Sequence, residues 1–128
     1  MVRGRRSAAA GGGSALYTGL ASTGYSTTGS RDGVNLNFLS GVYQTIIVTG
    51  QTQFNNTVGA SAGRNLVLRI FSSGSANSGA VTFNTGWHWI GTPYTTGVTL
   101  TTGKYSILSL TAFGPGETDI LSSYSFEL

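Results

Sequence analysis

His88 is the only histidine in the chain, and it is the first residue to consider as a catalytic base or a metal ligand. It lies in the stretch GWHWIG, between Trp87 and Trp89. A serine nucleophile needs a base of this kind beside it, and a metal site needs several converging ligands. Because large apolar residues alternate here with a polar one, we interpret His88 as an outward polar residue on a strand with both tryptophans facing inward.

Glu117 and Asp119 could form the carboxylate pair of a glycosidase. They are two residues apart, at a turn that leads into an apolar run, so we interpret them as solvated turn residues. The chain has four acidic residues and no cysteine, and the acidic residues are scattered along it. We therefore predict no metal site, no cofactor and no catalytic residues, and we expect a protein that is not an enzyme.

Exposed aromatic rings are a third source of chemistry, because sugar-binding sites often use them. Trp87, Trp89 and Tyr94 are close together in sequence, and the chain has 6 Tyr, 6 Phe and 2 Trp. These three residues are candidates for a glycan-binding face or for a subunit interface. The alternative is that they pack in the core, since aromatic residues are also favoured in strands.

Positive charge is concentrated at one end of the chain. Of the 7 basic residues, Arg3, Arg5 and Arg6 lie at the start, and the other four balance the 4 acidic residues to leave the net charge of +3. A nucleic-acid-binding domain usually carries its basic residues over one face, so we do not expect a nucleic-acid partner. A nearly uncharged body has two interpretations: protein partners cover much of its surface, or the surface is polar but carries little charge.

The sequence divides into two regions that differ in composition and in the pattern of apolar and polar residues. Residues 1–33 are rich in Gly, Ala, Ser and Thr and are predicted to form an extended, low-complexity N-terminal arm. Residues 34–128 alternate apolar and polar residues with period two and are predicted to form one β-domain. The chain has no run of about 18 apolar residues, so we predict no membrane span.

Eight short β-rich runs follow one another in residues 34–128, separated by Gly, Ser, Asn or Pro. They are VNLNF, YQTIIVTG, NLVLRIF, AVTFNTG, WHWIG, GVTLTTG, YSILSLTAF and DILSSYSFEL. This pattern predicts an all-β fold, an antiparallel β-sandwich or jelly roll of about eight strands. The segments 73–79 and 114–118 are predicted to be hairpin loops.

The second half of the chain resembles a β-structural module of tailed-bacteriophage virion proteins, which occurs in both tail-associated and capsid-attached proteins. The resemblance spans residues 43–110 and is carried by GRNLVLRI, then VTF followed by GWHWIG, then LTTGKYSILSL. Such modules often have two glycines and a proline after the second tryptophan. Here a single glycine, Gly91, precedes Thr92 and Pro93.

The resemblance implies a structural protein of the virion. Because the module makes up nearly the whole sequence, the chain looks like a capsid decoration (cement) protein, a class whose members sit on the shell, often as homotrimers, and bind the major capsid protein. The N-terminal arm is then the docking element, and its candidate contact residues are Arg3, Arg5, Arg6, Leu16, Tyr17 and Leu20. The implied location is the capsid surface of a virion assembled in the host cytoplasm.

Two other functions remain open from the sequence. One is a structural component of a phage tail or tail fibre, which the same resemblance would fit. The other is a carbohydrate-binding β-sandwich that uses Trp87, Trp89 and Tyr94.

Overall fold

The computed structural model describes residues 24–25, 32–48, 50–72 and 80–128. Over these residues the protein is all-β, as predicted, and has ten strands. The strands are β1 (Gly24–Tyr25), β2 (Asp32–Val34), β3 (Tyr43–Val48), β4 (Thr52–Phe54), β5 (Arg64–Ser72), β6 (Ala80–Thr82), β7 (His88–Trp89), β8 (Val98–Thr99), β9 (Tyr105–Ala112) and β10 (Ile120–Phe126). Two short 3₁₀ turns, Phe38–Ser40 and Glu117–Asp119, also lie in the described ranges.

The strands form two sheets, and the chain alternates between the sheets as far as β9. The six-stranded sheet has the order β1-β3-β5-β9-β10-β7, and the four-stranded sheet has the order β2-β4-β6-β8. Each of the first six strands is therefore followed by a strand of the opposite sheet. As a result, the chain from β1 to β6 winds back and forth between the sheets, and two strands that are neighbours in one sheet are separated in sequence by a strand of the other sheet.

Strand direction differs from the antiparallel prediction. β3 runs parallel to β5, with Ile46 beside Ile70. The pairs β1–β3, β2–β4, β4–β6 and β7–β10 are also parallel, whereas β5–β9, β9–β10 and β6–β8 are antiparallel. Parallel neighbours need a crossover connection, and in all of these pairs except β7–β10 a single intervening strand of the opposite sheet supplies it.

Two described strands have no counterpart among the eight predicted runs. β4 follows β3 after a short link, and β1 lies within the segment predicted to be an arm. The run VNLNF, in contrast, is a strand only at its first residue, Val34. Its Asn37 side chain accepts a hydrogen bond from Leu39 N (2.8 Å) and caps the 3₁₀ turn Phe38–Ser40, which ends the extended conformation.

The core lies between the two sheets and follows the predicted period of two. Leu66, Leu68 and Ile70 of β5 are buried, and the residues between them point outward. β9 adds Leu108 and Leu110, and the four-stranded sheet adds Phe54 and Val81 to the same hydrophobic cluster. Burial of each such side chain stabilises the fold by about 1.5–3 kcal/mol, so this cluster holds the sheets together.

The two predicted hairpin loops have different outcomes. Residues 114–118 join β9 to β10, which pair antiparallel with Ile120 beside Ala112, so this prediction is confirmed. Residues 73–79 lie outside the described residues, but β5 and β6 on either side of them belong to different sheets. β5 and β6 therefore do not pair with each other.

Most of the predicted arm, with Arg3, Arg5, Arg6, Leu16, Tyr17 and Leu20, lies outside the described residues. The part that is described forms β1, beside Ile47 and Val48 of β3, and the start of β2. No helix in the described ranges is long and apolar enough to cross a membrane.

Candidate functional site

The GWHWIG segment places its two tryptophans and its histidine differently. Trp87 is buried, and its indole Nε1 donates a hydrogen bond to Glu117 Oε1 (3.0 Å). Trp89 is half-buried and meets the ring of Phe83 edge-on, with the ring centroids 5.1 Å apart. His88 is exposed, as the alternation predicted, and its backbone oxygen accepts a hydrogen bond from Ser122 Oγ (2.9 Å).

Glu117 connects three separate segments of the chain. Its Oε2 accepts hydrogen bonds from both the backbone N and the Oγ1 of Thr57, each 2.9 Å long, and its Oε1 accepts the bond from Trp87. Asp119 Oδ2 accepts a hydrogen bond from Gly116 N (3.0 Å). The interpretation of Glu117 as a solvated turn residue is therefore wrong, because its carboxylate is a partly buried acceptor for the chain's own donors.

The described residues hold no cluster of three or more His, Asp or Glu side chains that could bind a metal ion. The concave features of the surface are instead lined by hydroxyl, carboxamide and aromatic groups. Two of them, a cleft rich in tyrosine and a groove rich in asparagine, are large enough to consider as binding sites.

The first feature, here called the tyrosine cleft, lies where the two sheets separate at one end. One side is β8 with its flanking residues 94–101, and the other is formed by the paired ends of β9 and β10. The cleft has a volume of about 260 Å³, and Tyr94, Tyr124 and Phe126 contribute aromatic rings to it. Such a volume is slightly below the lower end, about 300 Å³, of ordinary ligand pockets.

Aromatic contacts hold the rings of the tyrosine cleft in place. Tyr94 and Tyr124 meet edge to face with centroids 5.0 Å apart, and Tyr124 lies 6.0 Å from Phe126. Tyr94 also contacts Trp89, at 5.6 Å, which in turn packs on the buried Phe83. This chain of rings connects the cleft to the core, so its walls are positioned before any ligand arrives.

Ser106 places a buried hydroxyl in the lining of the tyrosine cleft. The residue is only 5% exposed, and its Oγ has no hydrogen-bond partner among the described residues. Burial raises the pKa of the neighbouring Tyr124 phenol above its usual 10.0; the Ser106 side chain lowers it, because its hydroxyl can hydrogen-bond to the ionised phenol, and Tyr94 adds to the rise. The Ser106 hydroxyl is thus near the phenol, but the two groups do not meet the distance and angle requirements of a hydrogen bond.

The charged residues at the edge of the tyrosine cleft already contact the chain. Lys104 Nζ donates a hydrogen bond to the backbone oxygen of Leu128 (2.9 Å), and Glu127 Oε1 accepts one from Tyr105 N (2.9 Å). One positive and one negative side chain therefore balance at this edge. The cleft is suited to a ligand without net charge.

The second feature is a shallow groove lined mainly by carboxamides, with a volume of about 570 Å³. Its amides come from Asn35, Gln53, Asn55, Asn56 and Asn84. Asn84 Nδ2 donates to the Asn55 backbone oxygen (2.9 Å) and to Asn56 Oδ1 (3.3 Å), and Asn84 Oδ1 accepts from Gly86 N (2.7 Å). These bonds satisfy Asn84 within the chain, so we interpret the groove as a structural network between neighbouring turns.

A third feature is the side of the six-stranded sheet that points away from the core, here called the outer face. Register places Tyr43 beside Val67, Arg69 beside Ile107 and Phe71 beside Tyr105. Tyr43, Tyr105 and Ile107 are exposed, and the Arg69 guanidinium carbon lies 5.2 Å from the centre of the Tyr105 ring. The outer face therefore presents exposed aromatic and aliphatic side chains and a single cation stacked on an aromatic ring. Its outward positions also include hydroxyl residues, among them Thr45, Ser109 and Thr111.

Comparison with known proteins finds no match for this chain among protein families, curated proteins or solved structures.

Sequence reasoning identified Tyr94 at the tyrosine cleft but missed Ser106 and Phe126. Ser106 lies in the YSILSLTAF run. A small polar side chain at an inward position of this strand was the sequence feature that could have indicated a polar group in a site. Period two places residues 106, 108 and 110 on one face, and Ser106 is the polar one among them. Its place opposite residues 94–101 depends on sheet topology, which the pattern of one strand does not contain.

Proposed function

We propose that the protein is a capsid decoration (cement) protein of a tailed bacteriophage, without enzymatic activity, that binds the major capsid protein. In this proposal the body is a β-sandwich, the assembly is a homotrimer and the N-terminal arm is a docking element. The outer face is the observation that carries the proposal, and the resemblance of residues 43–110 to phage virion modules gives the class of partner.

The outer face has the composition of a protein interface. Contiguous exposed apolar surface marks interaction sites, and Tyr and Arg are enriched in the centres of interfaces. Tyr43, Tyr105 and Ile107 supply exposed apolar area, and Arg69 supplies a cation with a planar hydrogen-bonding head. A capsid subunit that covers this face would bury the apolar side chains and pair the guanidinium.

Charge favours an acidic partner over a second copy of the same face. Arg69 is the only formally charged residue at the outward positions of the described β3, β5, β9 and β10. Two such faces packed on each other would bring like charges into one interface, and the carboxylate beside Tyr105, that of Glu127, already accepts a hydrogen bond from Tyr105 N. The outer face and the three arginines of the arm both complement an acidic surface, since guanidinium groups bind carboxylates in a bidentate manner.

The arm is tested by removing its charge. We expect R3A/R5A/R6A to lose binding to the capsids of the phage that encodes the protein, and R3K/R5K/R6K to retain part of it because the charge remains without the planar fork. Urea unfolding should give the same stability for both variants and the parent protein. Undiminished capsid binding by R3A/R5A/R6A would contradict the role of the arm.

The outer face is tested by placing a charge on it. Ile107→Lys should weaken capsid binding by tenfold or more, because an ammonium group would be left buried in the interface. Leu39→Lys is the matched control, since Leu39 is 61% exposed, Ile107 is 45% exposed, and Leu39 lies in the 3₁₀ turn Phe38–Ser40, outside the six-stranded sheet. Equal binding by both variants would exclude the outer face as the contact surface.

The number of copies in purified virions separates the head from the tail. A decoration protein should be present in proportion to the capsid subunits, as measured by quantitative mass spectrometry. A few copies per particle would instead indicate the tail component that the same resemblance allows.

A further inference from the structure

The tyrosine cleft shares Tyr105 with the outer face, but its other lining residues lie apart from that face and are not needed for the proposed attachment to a capsid. It combines three features: a concave shape of about 260 Å³, fixed aromatic rings and a buried hydroxyl without a partner. Each of these features constrains the ligand that the cleft can accept.

The hydroxyl of Ser106 requires a polar ligand. Buried side-chain polar atoms nearly always have a hydrogen-bond partner, so an exception calls for a water molecule or a ligand group. Ser106 lines the cleft at 5% exposure, beside the Tyr124 phenol. A ligand hydroxyl that reaches this point could donate to one of the two oxygens and accept from the other.

The aromatic rings require that the same ligand also has an apolar face. Phe126 is 56% exposed at the end of β10, next to Tyr124. Tyr94 lies on the opposite side of the cleft and is held by Trp89. A pyranose ring presents C–H groups on its face and hydroxyl groups around its edge, which is the combination that these walls can contact.

Charge argues against a nucleotide or another anion. Lys104 is the only cation in the cleft lining, and it is already bonded to the backbone oxygen of Leu128. Glu127 adds a carboxylate at the same edge. A phosphate group would meet one occupied cation and one anion, whereas a neutral polyol needs neither.

We propose that the tyrosine cleft binds one neutral pyranose ring, either as a free sugar or as a unit of a glycan. The ring stacks on Phe126 or Tyr94 and directs a hydroxyl group at Ser106. The small volume of the cleft limits recognition to a single ring. The inference is independent of the proposed attachment to a capsid.

The experiment is a titration of the full-length protein with methyl glycosides of glucose, galactose, mannose and N-acetylglucosamine, followed by saturation-transfer NMR. We expect one of them to bind with a Kd on the order of 1 mM. An oligosaccharide of the same sugar tests the source of the ring: tighter binding indicates a glycan, and equal binding indicates a free sugar. Phenol and AMP are the counter-probes.

Two variants locate the binding in the cleft. Ser106→Ala should weaken binding about tenfold while the thermal midpoint stays the same or rises, because an unpaired buried hydroxyl does not stabilise the fold. Phe126→Ala should also weaken it, whereas Phe113→Ala should not, since Phe113 is similarly exposed (65%) but lies outside the cleft.

Three results would overturn the proposal. The first is that none of the four glycosides binds at 50-fold the expected Kd, on the order of 50 mM. The second is that a sugar binds but Ser106→Ala and Phe126→Ala leave its binding unchanged. The third is that phenol or AMP binds in preference to every sugar. The last result would assign the cleft to an aromatic ligand instead.

Discussion

At the scale of single residues, Glu117 has the largest structural role of any charged residue in the described chain. It accepts three hydrogen bonds, from two atoms of Thr57 and from the Trp87 indole. Thr57 and Trp87 lie on different segments, so one carboxylate fixes the turn before β10 against both of them.

Replacement of Glu117 by Ala should lower the free energy of unfolding by about 3 kcal/mol, because hydrogen bonds to a charged group are lost and buried donors remain unpaired. Urea unfolding monitored by tryptophan fluorescence measures this change, and emission from Trp87 should shift to longer wavelength. Glu117→Gln keeps an acceptor and should lose about half as much. Equal stability of Glu117→Ala and the parent protein would contradict the structural role.

Alternation along a strand was enough to predict the orientations of Trp87 and His88 but not the role of Glu117. The orientations are local, since neighbouring residues on a strand point to opposite sides. The partners of Glu117 are 60 and 30 residues away in sequence, at Thr57 and Trp87. Contacts over such separations depend on how the sheets are ordered, and no pattern around residue 117 contains that information.

Tyr124 gives the protein a defined dependence on alkaline pH. Burial raises the pKa of its phenol above 10.0, so the folded state holds the proton more tightly than the unfolded state does. The resulting stabilisation is fully present below pH 10.0 and is lost as the pH rises through the raised pKa. As the pH rises above about 10, the thermal midpoint of the parent protein should therefore fall more steeply than that of Tyr124→Phe.

The matched control for this titration is Tyr43→Phe, a change at an exposed tyrosine of β3. This variant should follow the parent protein over the whole pH range. Parallel curves for Tyr124→Phe and the parent protein would show that the phenol of Tyr124 contributes nothing to the alkaline transition.

At the scale of elements, the turn before β8 depends on Gly97. Its φ is +92°, in the left-handed region, and a Cβ at this position would lie against the carbonyl oxygen of Val81. Val81 is the β6 residue that pairs with Val98 of β8. Backbone conformation and space thus both require glycine where the chain enters β8.

Gly97→Ala should destabilise the protein by about 3 kcal/mol, since backbone strain and overpacking add to each other. Gly103→Ala is the control, because Gly103 has a similar φ of +78° but open space around its Cβ position. It should cost about 1 kcal/mol, the backbone contribution alone. Urea unfolding of both variants measures the difference, and equal losses would show that the contact with Val81 is unimportant.

The positions of the long strands were predictable from the sequence, because apolar and polar residues alternate clearly along them. β5 and β9 bury every second residue over most of their length, and both were predicted. β4 has only three residues, Thr52–Phe54, and three residues show too little alternation of apolar and polar side chains to distinguish a strand from a loop. β1 has two residues in a Gly- and Ser-rich context, and its strand character comes from pairing with β3.

At the scale of the whole molecule, the order of the strands within the two sheets could not be predicted from the sequence. Alternation shows which side of a strand is buried, but it does not show which strand lies beside it. Sequential strands are spatial neighbours only about two-thirds of the time. Here β3 and β5 pair while β4 lies in the other sheet, and the antiparallel assumption failed at that step.

The place of β7 in the sheet order has a consequence for synthesis on the ribosome. His88 and Trp89 have their sheet partners, among the described strands, only in Leu121 and Ser122 of β10. β7 therefore cannot take its place in the sheet before residues 121–122 have been made, so this aromatic segment is among the last parts of the described fold to be paired.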